Sequence, residues 1–375
     1  MELLNATRMK ARYTMGLKPD GRELLVVVLK GTFKIPKAGE EPELTDKQAD
    51  LVMADEFTRE PGFSAPIYES DFAPFKPRCD VLLNGTAYAP GGRPVTRVEV
   101  GWRVGSLTKA FAVVGNRAWE KGSPGISATP PAPFLKVPIS YDNAFGGVDK
   151  SDPDEKKHCA FLENHAGRGF HSNHAREAIH GRPLPNTEEL DRPVTKPDGN
   201  YRPMAFGPVG RAWGPRPKFG GTYDQNWVDN VFPFLPSDFD ERYYQCAPAD
   251  QQTDYLRGGE EVSLLNVIPQ GRTAFKLPAV QVPITFYPRN YEEKEVNPLC
   301  DTLIIEPDLG RFMMLWRAAL PLKKNMFEIA QVIVGRMPRA FYRARESGKT
   351  WYPSLKELVE ARRAEREEAV GETGD

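Results

Sequence analysis

The sequence lacks a long hydrophobic run. Its longest uninterrupted apolar segment is residues 24–29, far shorter than the roughly 20 residues that a helix needs to cross a bilayer. The opening stretch, MELLNATRMKARYTMG, carries basic groups but no apolar core of about 7–15 residues like that of a secretory signal. These two absences predict a cytoplasmic protein with no segment inserted in a membrane.

An excess of positive charge is missing as well. Lys and Arg number 50 and Asp and Glu number 51, which gives a net charge of -1. The chain has no surplus of basic groups to neutralise phosphates, so we expect no nucleic-acid partner. The four cysteines, Cys79, Cys159, Cys246 and Cys300, form no CxxC pair and are interpreted as reduced thiols.

The sequence also lacks the common catalytic signatures. It contains no GxSxG elbow, no HExxH, no Walker loop and no GxGxxG after a strand, the patterns that mark hydrolases, metalloproteases and nucleotide-binding enzymes. We therefore predict no catalytic residue and no cofactor.

Glycine, proline and aromatic residues are abundant instead. The chain has 32 Gly and 35 Pro, and 10% of its residues are aromatic. Frequent Gly and Pro favour short strands and many turns, while the rings supply the burial that disordered chains lack. The composition predicts a mainly β protein with antiparallel sheets, sandwich- or barrel-like and divided into one or two lobes, with long loops rich in Pro, Gly and aromatic residues.

Local patterns place the strands. Residues 23–36 predict a long strand with a bulge at Gly31, and RVEVGWRVG followed by KAFAVVG predicts a hairpin with Val98, Val100, Trp102 and Val104 on its buried face. Two further hairpins are expected around PQGR and EPDLG, and NMFEIAQVIVG favours a strand over a helix. Ser354 and Glu357 form a capping box that predicts a short C-terminal helix.

These patterns divide the chain into four segments. Residues 1–150 are predicted to form an N-terminal β-rich lobe, and residues 251–345 a C-terminal one that could be a single unit with the first. Residues 151–250 read as a loop-rich region packed on the sheets, and residues 346–375 as the helix and a charged tail.

The middle region has few regular elements but many rings. Residues 181–250 hold 11 prolines, which excludes long helices there. The aromatic residues that recur through it are Tyr201, Phe206, Trp213, Phe219, Tyr223, Trp227, Phe232, Phe234, Phe239, Tyr243 and Tyr244. Long loops of this kind in compact proteins are often functional, so we interpret them as loops pinned to the sheets by aromatic side chains and forming a surface for contact.

All five histidines lie between His158 and His180. One hypothesis is a zinc site formed by His171 and His174 with His165 or His180. The other is a polar loop that happens to be rich in histidine, which is favoured because the spacing matches no known metal motif. Similarly, Asp238 to Glu241 beside Tyr243 and Tyr244 leaves open a carbohydrate-processing site, although such acids are usually solvated.

The segment DFAPFKPRCDVLLNGTAYAP (residues 71–90) mixes charges, rings and prolines. Lys76 and Arg78 are expected to pair with Asp71 and Asp80 and so to brace the entry to a strand at residues 79–83. Asn84 and Gly85 are expected to form the turn that ends this strand. An alternative interpretation makes Phe72, Phe75 and Tyr88, beside Arg78, an anchor patch for a partner.

Nine motifs in order carry a family resemblance. They are KGTF (30–33), ESDFAPFKPRCDVLLNGTAYAPGGRPV (69–95), AFGG (144–147), GRGF (167–170), LPNTE (184–188), FGPVGRAWGPR (206–216), GTYDQNW (221–227), LPSDFDERYYQCAPADQQ (235–252) and LRGGEEV (256–262). From about residue 20 to about residue 340 the chain resembles the bacterial domain of unknown function 2169, whose members lie in gene clusters of the type VI secretion system. Members often have NPxGRGF where this chain has NHAGRGF, so His165 takes a proline-like position.

The resemblance implies a non-enzymatic adaptor, or chaperone, that helps load a toxic effector onto the secretion spike. Its implied partners are an effector with a PAAR-like tip domain and the VgrG spike protein. The residues selected as candidates for partner binding are Asp71, Phe72, Phe75, Lys76, Arg78, Tyr88, Arg168, Trp213, Arg216, Tyr223, Asp238, Tyr243 and Tyr244. The alternative function is a metal- or carboxylate-dependent hydrolase of an envelope polymer, and an immunity protein is disfavoured because those proteins are typically small.

Overall fold

The computed structural model describes residues 1–37, 39–122, 125–172, 176–290, 292–352 and 354–371. In these residues the chain is mainly β, with three larger sheets and several two-stranded ones, so the predicted fold class is confirmed. Within the described part of the chain, no helix combines the length and the apolar character that a bilayer crossing requires.

A six-stranded sheet forms the centre of the molecule. Its strands, in order across the sheet, are Gln252–Thr253, Cys79–Leu83, Leu299–Glu306, Arg311–Pro321, Glu23–Lys34 and Lys10–Leu17. Strand Glu23–Lys34 is buried on both faces, which explains why its sequence is a continuous apolar run and not an alternation. The bulge predicted at Gly31 is absent: the pairing with the neighbouring strand runs through Gly31 opposite Met314 without a shift. A Cβ atom at this position would lie 2.7 Å from the sulfur of Met9 and 2.9 Å from the ring of Phe33, so glycine lets these two side chains pack closely against the strand.

A five-stranded sheet packs against the centre. In order, it consists of Thr187–Glu188, Leu107–Val114, Arg97–Val104, Glu261–Leu265 and Arg272–Lys276. The two hairpins predicted here are confirmed, and Val98, Val100, Trp102 and Val104 are buried as the alternation indicates. Arg97, Glu99 and Arg103 are exposed on the other face.

A four-stranded sheet and shorter elements complete the fold. The sheet order is Glu2–Asn5, Ile329–Val334, Ile284–Pro288 and Lys294–Val296, and it confirms the strand predicted after Asn325. The two-stranded pairs are Trp119–Gly122 with Gly125–Ala128, Lys136–Ile139 with Gly85–Tyr88, Phe145–Gly146 with Arg168–Gly169, Val148–Asp149 with Cys159–Ala160, and Glu56–Phe57 with Pro66–Tyr68.

Helices are few among the described residues. The α-helices are Arg176–Ile179, Gln225–Asn230, Arg339–Glu346 and Leu355–Gly371. The 3₁₀ segments are Pro90–Gly92, Tyr141–Asn143, Glu155–Lys157, Arg216–Phe219, Glu241–Tyr244, Ala249–Gln251, Pro307–Leu309 and Met326–Glu328. The backbone nitrogen of Glu357 donates to the hydroxyl of Ser354 at 3.2 Å, so the predicted helix start is confirmed.

The core lies on both sides of the central sheet. The largest cluster joins it to the five- and four-stranded sheets through residues such as Leu29, Phe111 and Phe286. A second cluster covers the other face, where Val26 and Leu82 pack against Leu51 and Cys246 from loops. Residues 1–150 and residues 251–345 both contribute strands to the six-stranded sheet and to the five-stranded sheet. The predicted division of the chain into four segments stays a prediction.

Candidate functional site

Charged side chains are buried at the turn that precedes strand Cys79–Leu83. The ammonium group of Lys76 lies 2.7 Å from a carboxylate oxygen of Asp80, as predicted, and both side chains are almost fully buried. Asp71 instead binds Lys30, at 2.9 Å, on the buried central strand. Arg78 is exposed and lies 3.6 Å from Asp254, so the pairings predicted for Asp71 and Arg78 are wrong. The charge of Lys30 required a buried partner, and only the fold shows that Asp71 supplies it.

Asp80 is the centre of a buried hydrogen-bond network. Besides Lys76, its carboxylate accepts hydrogen bonds from the side-chain amide of Gln245 at 2.5 Å and from the backbone nitrogen of Cys246 at 3.0 Å. Burial by itself would lower the pKa of Lys76. The adjacent Asp80 carboxylate acts more strongly in the opposite direction, so the pKa of Lys76 lies above its ordinary value. The network therefore ties residues 245–246 to the central sheet.

Arg216 holds the other end of the segment that leads to Cys246. Its guanidinium group binds both carboxylate oxygens of Glu69, at 2.6 and 3.0 Å, and donates to the backbone oxygens of Val209 and Tyr243 at 2.7 and 2.8 Å. Two-pronged arginine–carboxylate contacts give geometric precision as well as energy. Both ends of the segment between Arg216 and Cys246 are thus held in place by buried charged groups.

The segment held in this way is residues 220–244, named here the aromatic loop. Tyr223 and Phe232 pack edge-on against Trp227, with ring centroids 4.7 and 5.5 Å from it, and the Trp227 indole nitrogen donates to the backbone oxygen of Phe234 at 2.9 Å. Asp224 caps the short helix Gln225–Asn230. These contacts order the loop from within.

The rings of the aromatic loop nevertheless face solvent. The exposed fractions are 55% for Tyr223, 66% for Phe232 and 45% for Phe234, and Val228 beside them is 53% exposed. Grouped exposed apolar side chains on a soluble protein mark interaction sites. The aromatic residues that precede the loop in the sequence are buried instead. Tyr201, Phe206 and Trp213 pack inside the protein and act as the predicted anchors.

The predicted partner-binding residues fall into three groups. Asp71, Lys76, Trp213 and Arg216 are buried, and their side chains hold loops in place. Phe72, Phe75, Tyr88, Arg168, Tyr243 and Tyr244 are half-buried, whereas Arg78, Tyr223 and Asp238 are exposed. Of these, Tyr223, Asp238, Tyr243 and Tyr244 lie in the aromatic loop.

The anchor patch proposed around Arg78 is divided by the fold. Arg78 comes directly before strand Cys79–Leu83, whereas Tyr88 lies beyond its far end and donates from its hydroxyl to Asp308 at 2.7 Å. A five-residue strand separates the two by roughly 16 Å. The strand ends before Asn84, and the next strand, Gly85–Tyr88, begins directly after it and pairs in another sheet.

A pocket lies at the base of the aromatic loop and is named here the base pocket. It has a volume of about 360 Å³, within the range of ligand sites. Its apolar walls are Pro203, Val209, Pro215, Phe219, Ala247, Pro248 and Ala249, and its charged lining is Lys109, Arg202, Arg216, Arg242, Glu163 and Asp250. Phe219 and Arg242 connect the pocket to the loop, because the guanidinium carbon of Arg242 lies 4.3 Å from the centroid of the Phe219 ring.

Lys109 is the most unusual group of the base pocket. It is 6% exposed, and its ammonium group donates to Asp250 at 3.0 Å and to Gln251 at 2.7 Å. Burial lowers the pKa of Lys109 to about 8, although the Asp250 carboxylate acts in the opposite direction. Sequence analysis missed this residue, but a signal exists: in KAFAVVG, Lys109 shares the apolar face of its strand with Phe111 and Val113.

Lys109 makes the stability of the protein depend on pH. Between the folded pKa of about 8 and the ordinary value of about 10.4, the unfolded chain binds more protons than the folded one. The free energy of unfolding should therefore gain about 1–2 kcal/mol from Lys109 between pH 8 and pH 9.5. Urea unfolding across this range should show the gain in the wild type and lose it in Lys109→Met. Lys276→Met, an exposed lysine of the same sheet, serves as control; parallel curves for wild type and Lys109→Met would contradict the assignment.

The histidines do not assemble a metal site among the described residues. His171 lies 3.7 Å from Asp149, His165 packs edge-on against Trp213 and His180 accepts from the Lys121 backbone nitrogen. In the described ranges no three His, Cys, Asp or Glu side chains are grouped to hold a metal ion; His174 lies outside the described residues. Burial lowers the pKa of both His165 and His171.

The acids of the carbohydrate hypothesis have structural partners. The backbone nitrogen and the hydroxyl of Thr222 donate to Asp238 at 2.9 and 2.7 Å, and these bonds lower the pKa of Asp238. Asp240 accepts a hydrogen bond from the Arg242 backbone, whereas burial raises the pKa of Glu241. Asp238 and Asp240 thus accept hydrogen bonds from other residues of the aromatic loop and stabilise its conformation.

Comparison with known proteins gives one family. The model of a family described as an uncharacterized protein conserved in bacteria (DUF2169) matches residues 20–317, which is more than half of the chain. No curated protein matches the sequence, and no solved structure does.

Proposed function

Because the chain belongs to the DUF2169 family of bacterial proteins, we propose that it is a cytoplasmic, non-enzymatic adaptor that binds a type VI secretion effector. It holds an effector with a PAAR-like tip domain and assists its loading onto the VgrG spike, as the resemblance of its motifs implies.

The observation that carries this proposal is the exposed state of the aromatic loop. Tyr223, Phe232 and Phe234 remain open to solvent although the loop is held from within and at both ends. Aromatic side chains of this kind are enriched at the centres of protein interfaces. A rigid loop also loses little conformational freedom on binding, which favours affinity.

The charge of the aromatic loop indicates what kind of partner surface it binds. Residues 220–244 contain Asp224, Asp229, Asp238, Asp240 and Glu241 against a single base, Arg242. A partner that combines apolar groups with basic ones is complementary to this surface. A mixed apolar and polar interface also suits a complex that must dissociate when the effector is handed to the spike.

Co-expression with a PAAR-like effector from the same genome tests the proposal. We expect the adaptor to co-purify with the effector, and the effector to lose solubility and secretion when the adaptor is deleted. VgrG expressed without the effector serves as control for indirect capture. An effector that is equally soluble, stable and secreted without this protein would refute the proposed function.

A further inference from the structure

The six-stranded sheet ends in a long open edge. Its last strand, Lys10–Leu17, has eight residues and pairs within the sheet only with Glu23–Lys34. The register between the two strands runs through every pair without a shift, so no bulge bends this edge away from a neighbour. The strand Lys10–Leu17 is named here the long edge strand.

Every second residue of the long edge strand directs its backbone groups away from the sheet. In an antiparallel pair, residues alternate between bonding the partner strand and facing away from it. The nitrogen of Lys18 donates to the oxygen of Arg22, so the pair closest to the turn is a bonded one. The oxygen of Glu23, opposite Leu17, accepts instead from Leu322 on the far side. By alternation from there, the outward residues are Leu17, Met15, Tyr13 and Ala11.

These outward groups are open in the free protein. Among the described residues, no backbone group outside the sheet bonds the N–H or C=O groups of the four outward residues. The Thr14 hydroxyl contacts the Met15 oxygen at 3.4 Å, which leaves the outward N–H groups unoccupied. A row of open donors and acceptors is a template with which another extended chain pairs.

The other sheet edges are protected in ways that this one is not. Proteins guard edges with very short strands, charged side chains, prolines or bulges. The remaining edge strands of the three larger sheets have five residues or fewer: they are Gln252–Thr253, Thr187–Glu188, Arg272–Lys276, Glu2–Asn5 and Lys294–Val296. Residues 13–17 of the long edge strand read YTMGL, with neither a charge nor a proline. This half of the strand is therefore suited to pairing.

The turn that follows the long edge strand touches the aromatic loop. The ring of Phe234 lies 3.2 Å from the position that a Cβ atom on Gly21, in this turn, would occupy. Lys18, in the same turn, lies near Glu241 of the loop: burial raises the pKa of Glu241, and the charge of Lys18 opposes that shift. A polypeptide bound to the exposed rings therefore continues directly onto the open edge.

We propose that residues 13–17 of the long edge strand receive an extended segment of the effector, which adds a further strand to the six-stranded sheet. Main-chain hydrogen bonds supply affinity in this mode of recognition, and alternate side chains supply specificity. Met15 packs against the main core on one face of the strand, so the effector segment carries apolar side chains on that face. This inference rests on the proposed function, because it specifies how the effector is held.

Proline substitution tests whether the backbone of the edge carries binding. Tyr13→Pro removes an outward N–H and leaves the bonds to Glu23–Lys34 in place, a position at which edge strands tolerate proline. Tyr13→Ala removes the ring, which is 38% exposed, but keeps the N–H. In titration calorimetry with the purified PAAR-like effector, we expect Tyr13→Ala to bind within about fivefold of the wild type. Tyr13→Pro should bind at least about tenfold more weakly than Tyr13→Ala, because an acceptor of the effector is left without its donor.

Ala274→Pro is the matched control on another edge. The oxygen of Glu261 accepts from the nitrogen of Gly105, on the side away from strand Arg272–Lys276. By the same alternation, Ala274, opposite Ser263, directs its N–H outward. Ala274→Pro makes an equivalent change at an exposed edge position and should bind the effector as the wild type does. Circular dichroism checks that each variant is folded.

Hydrogen exchange measured by mass spectrometry tests the wild type without any substitution. In the free protein, the amides of Tyr13, Met15 and Leu17 should exchange fast, since they lack an acceptor. Binding of the effector should protect about three further amides within residues 10–17.

The outcomes separate this inference from the proposed function. Binding by Tyr13→Pro as tight as by Tyr13→Ala, or a complex in which residues 10–17 exchange as in the free protein, would overturn the edge assignment and leave the adaptor function intact. A wild type that binds no effector would refute the proposed function, and the effector segment as occupant with it. Sedimentation of the free protein should show a monomer; a dimer that Tyr13→Pro dissociates would assign the edge to a second copy of this chain and overturn the inference.

Discussion

Asp80→Asn should lower the free energy of unfolding by about 3–5 kcal/mol, the usual cost of leaving one member of a buried ion pair without its partner. Asp80 is fully buried, and asparagine has the same shape but no charge. The substitution therefore leaves the Lys76 ammonium group without a counter-charge in the core. Urea unfolding followed by tryptophan fluorescence measures the change, which is large beside the roughly 5–15 kcal/mol of a typical domain.

The double variant Lys76→Met/Asp80→Asn is the control for this result. It removes the unpaired charge, so it should recover part of the stability lost in Asp80→Asn. If Asp80→Asn instead unfolds at the same urea concentration as the wild type, the pair between Lys76 and Asp80 does not stabilise the base of the aromatic loop.

Phe232→Ser should weaken effector binding by about 30-fold or more, which corresponds to the roughly 2 kcal/mol of an interface hot spot. The Phe232 ring is 66% exposed, so its removal should leave the stability of the free protein within about 0.5 kcal/mol of the wild type. Titration calorimetry with the purified effector measures the affinity, and urea unfolding measures the stability.

Phe327→Ser is the matched control for Phe232→Ser. Phe327 is 73% exposed and lies in the turn Met326–Glu328, before strand Ile329–Val334. Its replacement makes the same chemical change and should leave effector binding unaltered. Equal affinities for wild type, Phe232→Ser and Phe327→Ser would remove the aromatic loop from the interface.

Strands were predictable from the sequence because their signal is local. Alternation along RVEVGWRVG identified both the hairpin and its buried face, and the apolar run before Lys30 identified the long central strand. The order of strands in the sheets was not predictable, since Cys79–Leu83 lies beside Leu299–Glu306 and no local pattern encodes that pairing. The bulge at Gly31 was wrong because glycine serves packing against Met9 there.

The candidate site was predictable only in part, for the same reason. The density of rings in residues 201–244 indicated both anchors and a contact surface, and the structure separates them: Phe206 packs against Phe111, whereas Phe232 faces solvent. The partners of charged residues depended on the fold. Lys76 and Asp80 lie in one short segment, where the sequence shows both charges together, whereas Asp71 with Lys30 and Glu69 with Arg216 join distant segments.

The parallel pairing of strand Cys79–Leu83 with Leu299–Glu306 has a consequence for how the protein is made. Residue 80 finds its neighbour only at residue 302, so closing the central sheet requires a large loss of chain entropy and is expected to be slow. At about 5–20 residues per second, a ribosome needs roughly ten seconds or more to deliver the missing strand. During that interval the early apolar strands are not yet covered by their neighbours in the sheet, and we expect the newly made chain to need protection from aggregation.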